Sequence, residues 1–199
     1  ASNWAPDDLL ALLDPPFQHP EGAFLAETYL WKSERGPAEI LSLAHRALQD
    51  ALEAAWAARS EAVDAVLSSP YELLILASIV EKETALAIER PRVAGVFIER
   101  LRRGMRLQTD PTVIYGLGDR FDGNLTRAHL RELTPYNTYR IDGLPPTPIA
   151  VVGPQALLAV SRPEITGELY FVADGKGGHV FARTLEEHND NVRKYQLKR

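Results

Sequence analysis

Glu81, Lys82 and Glu83 arrive together inside LLILASIVEKETALAIER (Leu73–Arg90), a stretch whose first half is apolar. A carboxyl group set among apolar side chains loses hydration in its charged form, so its pKa rises. A glutamate that keeps its proton near neutral pH can serve as a general acid. Read as one helix of 3.6 residues per turn, the stretch puts the two glutamates on different faces. Glu83 then has Ile79 and Val80 one turn back and Leu86 and Ala87 one turn ahead; Glu81 has Ala77, Ser78, Thr84 and Ala85. Glu83 has the more apolar flanks. A Glu-Lys-Glu run is more often a solvated helix face, so periodicity ranks the pair without making either residue catalytic.

Further along, RLQTDPTVIYGL supplies Gln108, Thr109, Asp110 and Tyr115, and YNTYRIDGLPPTPI supplies Tyr136, Asn137, Thr138 and Tyr139. Neutral hydrogen-bonding groups interleaved with aromatics suit sugar hydroxyls and the apolar faces of pyranose rings. Each has an ordinary alternative: Asp110-Pro111-Thr112 as turn chemistry, the tyrosines as core. Other chemistries find little support. The five histidines, His19, His45, His129, His179 and His188, show no paired metal-ligand spacing. No metal or other cofactor is expected. DGKGGH (Asp174–His179) lacks the phosphate-loop pattern and reads as a hairpin turn, and no serine sits in a nucleophile-elbow context.

The elements that must position these residues can be placed coarsely. Residues 1–36, rich in proline, glycine and aromatics, read as an irregular arm with one strand around Phe24–Trp31. Pro37–Ser69 is a long alanine-rich helix with Ile40, Leu41, Ala44, Leu48, Leu52, Ala55 and Trp56 as its buried stripe. Ser69-Pro70-Tyr71-Glu72 is an N-cap serine, a proline in the first turn and a glutamate three residues on. It starts the Leu73–Arg90 helix. Pro91 opens a second helix that stops at Gly104. TVIYGL and NTYRI read as short strands, Thr126 as the cap of a helical turn, and Gly153-Pro154 as another helix start. ELYFVADGKGGHVFAR is a hairpin, and Thr184-Leu185-Glu186-Glu187 is a capping box. Helices first and short strands later give an α+β class: a helical lobe carrying Glu83, packed against short mixed or antiparallel strands with a C-terminal β-hairpin. Residues 1–69 are expected to form the arm and long helix, and residues 70–199 the core that carries the candidate catalytic residues.

Composition bounds the remaining function classes. The 199 residues carry a net charge of −5, which argues against a nucleic-acid binder, and the absence of cysteine excludes a disulfide scaffold. No run approaches the roughly 20 apolar residues of a membrane span. The chain begins at Ala1 without a methionine and is expected to be a piece of a longer protein.

LASIVEKET (Leu76–Thr84), VFIERLRRGMRLQTDPTVIYGLG (Val96–Gly118), TPYNTYRIDGLPP (Thr134–Pro146) and LYFVADGKGGHVFA (Leu169–Ala182) resemble, in order and spacing, the YceG-like (MltG) endolytic murein transglycosylases. The resemblance is dense from about Leu74 to Phe181. It extends more weakly to EGAFLAETY (Glu21–Tyr29), where the family usually carries a Phe-Pro-Asp-Thr-Tyr-like ending and this chain has FLAETY. The resemblance implies cleavage of the N-acetylmuramic acid β-1,4-N-acetylglucosamine bond within peptidoglycan strands, leaving a 1,6-anhydro-muramyl end. It implies a catalytic domain on the outer face of the bacterial plasma membrane. A single N-terminal transmembrane helix and a small LysM-like domain would precede it, and cell-wall synthases of the penicillin-binding class would be partners. Neither the helix nor that domain is visible here, so the chain is expected to be the catalytic portion. The family's IVEKE motif puts the catalytic glutamate at Glu83, with Glu81 as fallback.

Gln108, Asp110, Tyr115, Asn137 and Tyr139 are, from their chemistry, the candidates for positioning the sugars. Two other readings stay open. One is a lysozyme-like muramidase with Glu83 as acid and Asp110 as second carboxylate. The other is a non-catalytic glycan-binding scaffold.

Overall fold

The computed structural model describes residues 9, 11, 13, 17, 19–30 and 36–197. In chain order these give α1 (Pro37–Ala57), the single turn α2 (Glu61–Asp64), α3 (Pro70–Glu83), α4 (Arg90–Arg102), α5 (Asp110–Leu117), α6 (Pro154–Ser161), strands β1 (Tyr170–Ala173) and β2 (His179–Ala182), and α7 (Leu185–Tyr195). Short 3-10 turns occupy Gly118–Arg120 and His129–Arg131. The class is α+β, helix-rich with one small antiparallel hairpin.

Helix α3 starts where its residues dictate. The Ser69 hydroxyl accepts a hydrogen bond from the Glu72 backbone N–H (3.2 Å), and Pro70 fills the first turn, where no amide donor is needed. Every residue from Leu73 to Val80 is buried, because α1, α4 and α6 surround the helix. A helix apolar on all sides belongs in the middle of a core. Leu48 and Leu52 of α1, Phe97 and Ile98 of α4, and Leu157 and Val160 of α6 complete that core. Ser78 sits fully buried in it. Its hydroxyl donates to Ile75 O (2.7 Å) and accepts from Ile149 N–H (2.9 Å), so the loop before α6 is pinned to α3.

Other expected signals hold. Gly104 ends α4 at φ +64°, and Met105 N–H donates back to Arg100 O (2.8 Å). Thr126 Oγ1 accepts from His129 N–H (3.3 Å) at the predicted helical turn. Gly153-Pro154 opens α6. The hairpin pairs Tyr170 with Ala182 and Ala173 with His179. Thr184 and Glu187 form both bonds of the capping box of α7.

Four expectations are corrected. The helix expected over Pro37–Ser69 ends at Ala57, although neither glycine nor proline marks the spot. Ser60 turns to extended backbone (φ −75°, ψ 161°) and its N–H donates to Ser161 O of α6 (2.9 Å). The Arg59 guanidinium lies 3.9 Å above the Trp56 ring and bonds Trp56 O (2.8 Å). A tertiary anchor, not local propensity, breaks the helix. The strand expected around Phe24–Trp31 reduces to a single parallel bridge, Leu25 with Val152, and Trp31 lies outside the described residues. TVIYGL is helical, not a strand: Pro111 sits in the first turn of α5, which buries Thr112, Val113 and Leu117. NTYRI forms turns.

Helix α4 reaches the segment after α6 at Gly95, where an added Cβ would stand 2.0 Å from Glu164 O. That carbonyl is backbone, held by the Glu164 N–H to Pro91 O bond (2.9 Å), so it cannot swing aside. Gly95→Ala is therefore expected to destabilise the fold by about 1–3 kcal/mol despite alanine's better helix propensity. Thermal melting checks this, and an unchanged or raised Tm would show that the two segments separate easily.

Candidate active site

Glu83 is the last residue of α3. Thr84 leaves the helix with extended backbone (φ −141°, ψ 131°), and its Oγ1 accepts from Leu86 N–H (3.1 Å) and faces Glu89 Oε2 (3.4 Å). The single helix expected over Leu73–Arg90 therefore stops seven residues early, and Leu86 is 41% exposed instead of stacking ahead of Glu83. Only the flank formed by buried Ile79 and Val80 is as the periodicity implied.

The rest of the surroundings is tertiary. Glu83 opens onto a cleft of about 430 Å³, inside the range of small-molecule sites. Arg100, Gln108, Thr109, Asp110, Tyr139, Tyr170, Phe171, His179 and His188 are among the residues that line it. The Thr109 hydroxyl donates a short hydrogen bond to Glu83 Oε1. Burial pushes the Glu83 carboxyl above its ordinary pKa and the Asp110 charge adds to this; the Thr109 hydrogen bond, His179 and Arg100 oppose it without reversing it. The last turn of a helix, with its unsatisfied carbonyls, also disfavours a carboxylate.

Glu81 is differently employed. Its Oε1 accepts from Arg90 Nη2 (2.6 Å) and its Oε2 from Gly153 N–H (3.1 Å). It ties the start of α4 and the start of α6 to the end of α3. Each of its oxygens thus has a fixed structural partner. Glu81→Gln should cost stability, about 1–3 kcal/mol for the lost charge-assisted bonds, while changing turnover at saturating substrate by only a few-fold. A loss of turnover as large as that from Glu83 replacement would refute this division of labour.

The loop before α5 is shaped by hydrogen bonds to the 134–139 turns. Gln108 adopts φ +51°, a left-handed conformation uncommon outside glycine and asparagine. Gln108 N–H donates to Thr138 O (3.2 Å), and Thr109 N–H to Thr138 Oγ1 (3.0 Å). This fixes Thr109 under Glu83 and leaves the Gln108 side chain exposed at the cleft. Tyr139 OH donates to Asp110 Oδ1 (2.6 Å). Burial, then that hydrogen bond and the Asp110 charge, push the phenol pKa well up, so Tyr139 stays a donor.

Of the residues singled out from sequence, Glu83, Gln108, Asp110 and Tyr139 meet at this cleft; Tyr115 and Asn137 do not line it. Tyr115 packs edge-on against Tyr136 (4.9 Å), and its phenol is pushed up to about 12, chiefly by burial. Asn137 is fully buried: its Nδ2 donates to His129 O (3.1 Å) and Glu132 O (2.7 Å), and its Oδ1 accepts from Tyr139 N–H (3.0 Å). It holds the turn that presents Tyr139.

Thr109 was named among the hydrogen-bonding groups without a site role, and Arg100, Tyr170, His179 and His188 of the cleft were not put forward as site candidates. His179 Nδ1 donates to Glu89 Oε2 (2.8 Å) and its backbone N–H to Glu89 Oε1 (2.9 Å), locking the hairpin turn to the start of α4. Thr109 has a local signal, since it directly precedes Asp110-Pro111 at a helix start. The others come together only through the tertiary packing of α4, the hairpin and α7.

Comparison with known proteins places the chain. The model of the YceG-like family matches residues 4–194, and the chain belongs to that family. It is similar to an endolytic murein transglycosylase of Bacillus subtilis, 43% identical over 127 residues, covering 64% of this chain and 35% of that protein. A namesake from Streptococcus pneumoniae is 37% identical over 127 residues, covering 61% and 23%. The crystal structure of a yceG-like protein from Listeria monocytogenes superimposes with a TM-score of 0.74 at 36% identity, covering 90% of this chain and 58% of that one. The chain thus spans about a third or less of the length of these curated relatives. Among the described residues no helix is long and apolar enough to cross a membrane.

Proposed function

We propose that this chain is a peptidoglycan lytic transglycosylase that cuts the muramic acid–glucosamine bond within glycan strands, with Glu83 as its acid and base. The observation that carries this reading is a half-buried carboxyl with a raised pKa at the end of α3, open to a cleft lined by aromatic and polar side chains together with Asp110 and Arg100. The names of the Bacillus and Streptococcus relatives support it.

In the first step the Glu83 carboxyl gives its proton to the glycosidic oxygen as the C1–O bond breaks, its electron pair leaving with the glucosamine hydroxyl. The muramyl C1 is left with oxocarbenium character. The Glu83 carboxylate then takes the proton of the C6 hydroxyl while O6 bonds to C1, closing the 1,6-anhydro ring and restoring the acid. One carboxyl therefore serves both steps, with no added water. The Thr109 hydroxyl holds Glu83 in one orientation and stabilises the carboxylate formed midway. Gln108, Asp110 and Tyr139 present hydrogen-bonding groups to the sugars. Asn137 acts through the turn carrying Tyr139.

Residues 70–199 supply every one of these groups and are proposed as the catalytic core. The site of action is the cell wall outside the plasma membrane, with the membrane tether and cell-wall synthases as the companions the family resemblance implies.

The test is digestion of purified sacculi followed by mass analysis of the fragments. Anhydro-muramyl ends are expected. Fragments heavier by one water would identify a muramidase using Asp110 as second carboxylate. Binding without release of fragments would identify a scaffold. Since the reaction uses only groups of the chain itself, turnover should survive strong chelation; loss in chelator with rescue by one divalent ion would count against the one-carboxyl route.

A further inference from the structure

Arg100 projects from α4 into the inner end of the cleft and is only 7% exposed. Its Nε donates to Leu169 O (2.7 Å), and its Nη1 to Leu107 O (2.8 Å) and Arg106 O (3.1 Å), with Gln108 Oε1 at 3.3 Å. These are neutral acceptors. Among the described residues Arg100 has no ion pair, and its Nη2 makes no hydrogen bond. The arginines around it are treated differently: Arg90 is paired with Glu81, Arg92 with Glu168, and Arg102 and Arg103 with Glu99. A guanidinium taken out of water without a counter-charge is costly, and native proteins seldom leave one so.

A second group beside it is also short of a partner. His188 of α7 stacks on Tyr170 (ring centroids 5.2 Å apart, 28° between planes), and Tyr170 in turn lies 5.1 Å from the Arg100 guanidinium carbon. His188 Nδ1 is buried and has no hydrogen-bond partner. Burial and the Arg100 charge both favour the neutral imidazole. Arg100, Tyr170 and His188 thus line the cleft together, a cation beside a stacked aromatic pair.

We infer that this end of the cleft is a subsite for a carboxylate carried by the glycan, with Arg100 Nη2 as the charged donor and the Tyr170–His188 pair as the wall it lies against. The inference rests on the glycan reading of the cleft proposed above. It gives that reading a polarity: the acidic substituent lies on the hairpin and α7 side. Asp110 and Glu83 also line the cleft, so a second carboxylate near the reacting bond is disfavoured, and the anion is steered to Arg100 instead. Two sources offer this chemistry on peptidoglycan, the lactyl carboxylate of a peptide-free muramic acid and the free carboxylates of a stem peptide.

The experiment measures equilibrium binding by calorimetry to the Glu83→Gln protein, which holds glycans uncut, using strands of equal length in four forms. Two are peptide-free, with lactyl carboxylates free or amidated. Two carry stem peptides, with carboxylates free or amidated. Amidation is expected to weaken binding about ten- to a hundredfold in one pair, the worth of one charge-assisted hydrogen bond. The pair that responds identifies the source. Arg100→Gln, checked by circular dichroism, should bind the free and amidated forms alike; if that variant does not fold, the four glycans decide alone. Equal affinity for free and amidated strands in both pairs, or binding of none, overturns the subsite. Cleavage by the unmodified protein is scored separately, so a failure of the transglycosylase reading shows as absent products whatever the binding result.

Discussion

Glu83→Gln is expected to lower turnover of peptidoglycan by about 10²–10⁴-fold while leaving the fold intact. The amide keeps the size of the side chain and can still meet the Thr109 hydroxyl, but it can neither deliver a proton to the glycosidic oxygen nor recover one from the C6 hydroxyl. The same substitution should stabilise the protein near neutral pH. The Glu83 carboxyl is raised in the folded state, mainly by burial. Between the ordinary glutamate pKa and that raised value the folded state holds a proton that the unfolded state has released, so stability falls as pH rises. Below the ordinary glutamate pKa both states are protonated and the penalty disappears. Glutamine never pays it. The Tm of the variant should exceed that of the unmodified protein at neutral and mildly alkaline pH, by about 2–4 °C for each kcal/mol recovered, and the gap should close in acid. Loss of activity together with gained stability separates a functional carboxyl from a structural one such as Glu81. A variant that keeps its turnover, or that loses stability at neutral pH, would refute the assignment of Glu83.

How much of this was legible in the chain depends on where each feature is encoded. Ser69 and Thr184 cap helices through bonds to residues three positions on, so the start of α3 and the start of α7 could be read directly. The Gly175 and Gly177 positions, at φ +77° and +97°, made the hairpin turn equally plain. Helix ends were not legible where tertiary contacts set them. Ala57 ends α1 because Ser60 docks on Ser161, a hundred residues away, and Glu83 ends α3 because Thr84 turns to serve Leu86 and Glu89. TVIYGL was misread because its β-branched and aromatic residues favour strands, although Thr109-Asp110-Pro111 before it is a helix start. In the cleft, the pattern ranked Glu83 above Glu81 on a helix that in fact stops at Glu83. Half of that argument, the buried Ile79 and Val80 flank, stands, and the other half is replaced by Thr109 and the cleft walls. Tyr115 is the same residue type as Tyr139, and Asn137 carries the same amide group as Gln108, and side-chain chemistry alone does not say which way a residue faces. Arg100 and His188 meet only because the hairpin and α7 close over α4.

The alkaline limb of the rate profile should move in opposite directions when the two sides of Glu83 are altered. The bond-breaking step needs the acid form, so kcat/KM should fall by about tenfold per pH unit beyond the Glu83 pKa. Val80, fully buried one turn back, is part of the apolar flank that disfavours the charge. Val80→Ser admits water and a dipole there, which lowers the Glu83 pKa and brings the limb to lower pH. Thr109 acts with the other sign. Its hydroxyl donates to Glu83 Oε1 and so favours the carboxylate. Thr109→Val removes the donor at nearly constant volume, raises the pKa further and carries the limb to higher pH. Its rate on the acid side should also drop, because the carboxylate formed midway has lost its hydrogen bond. The other charged groups at Glu83, Asp110 from α5, His179 from the hairpin and Arg100 from α4, are untouched by either change and set the common baseline. Profiles of kcat/KM on one defined glycan, with circular dichroism confirming that both variants fold, provide the measurement. Limbs that stay in place, or that move the same way in both proteins, would mean that the group titrating in the profile is not the carboxyl at the end of α3.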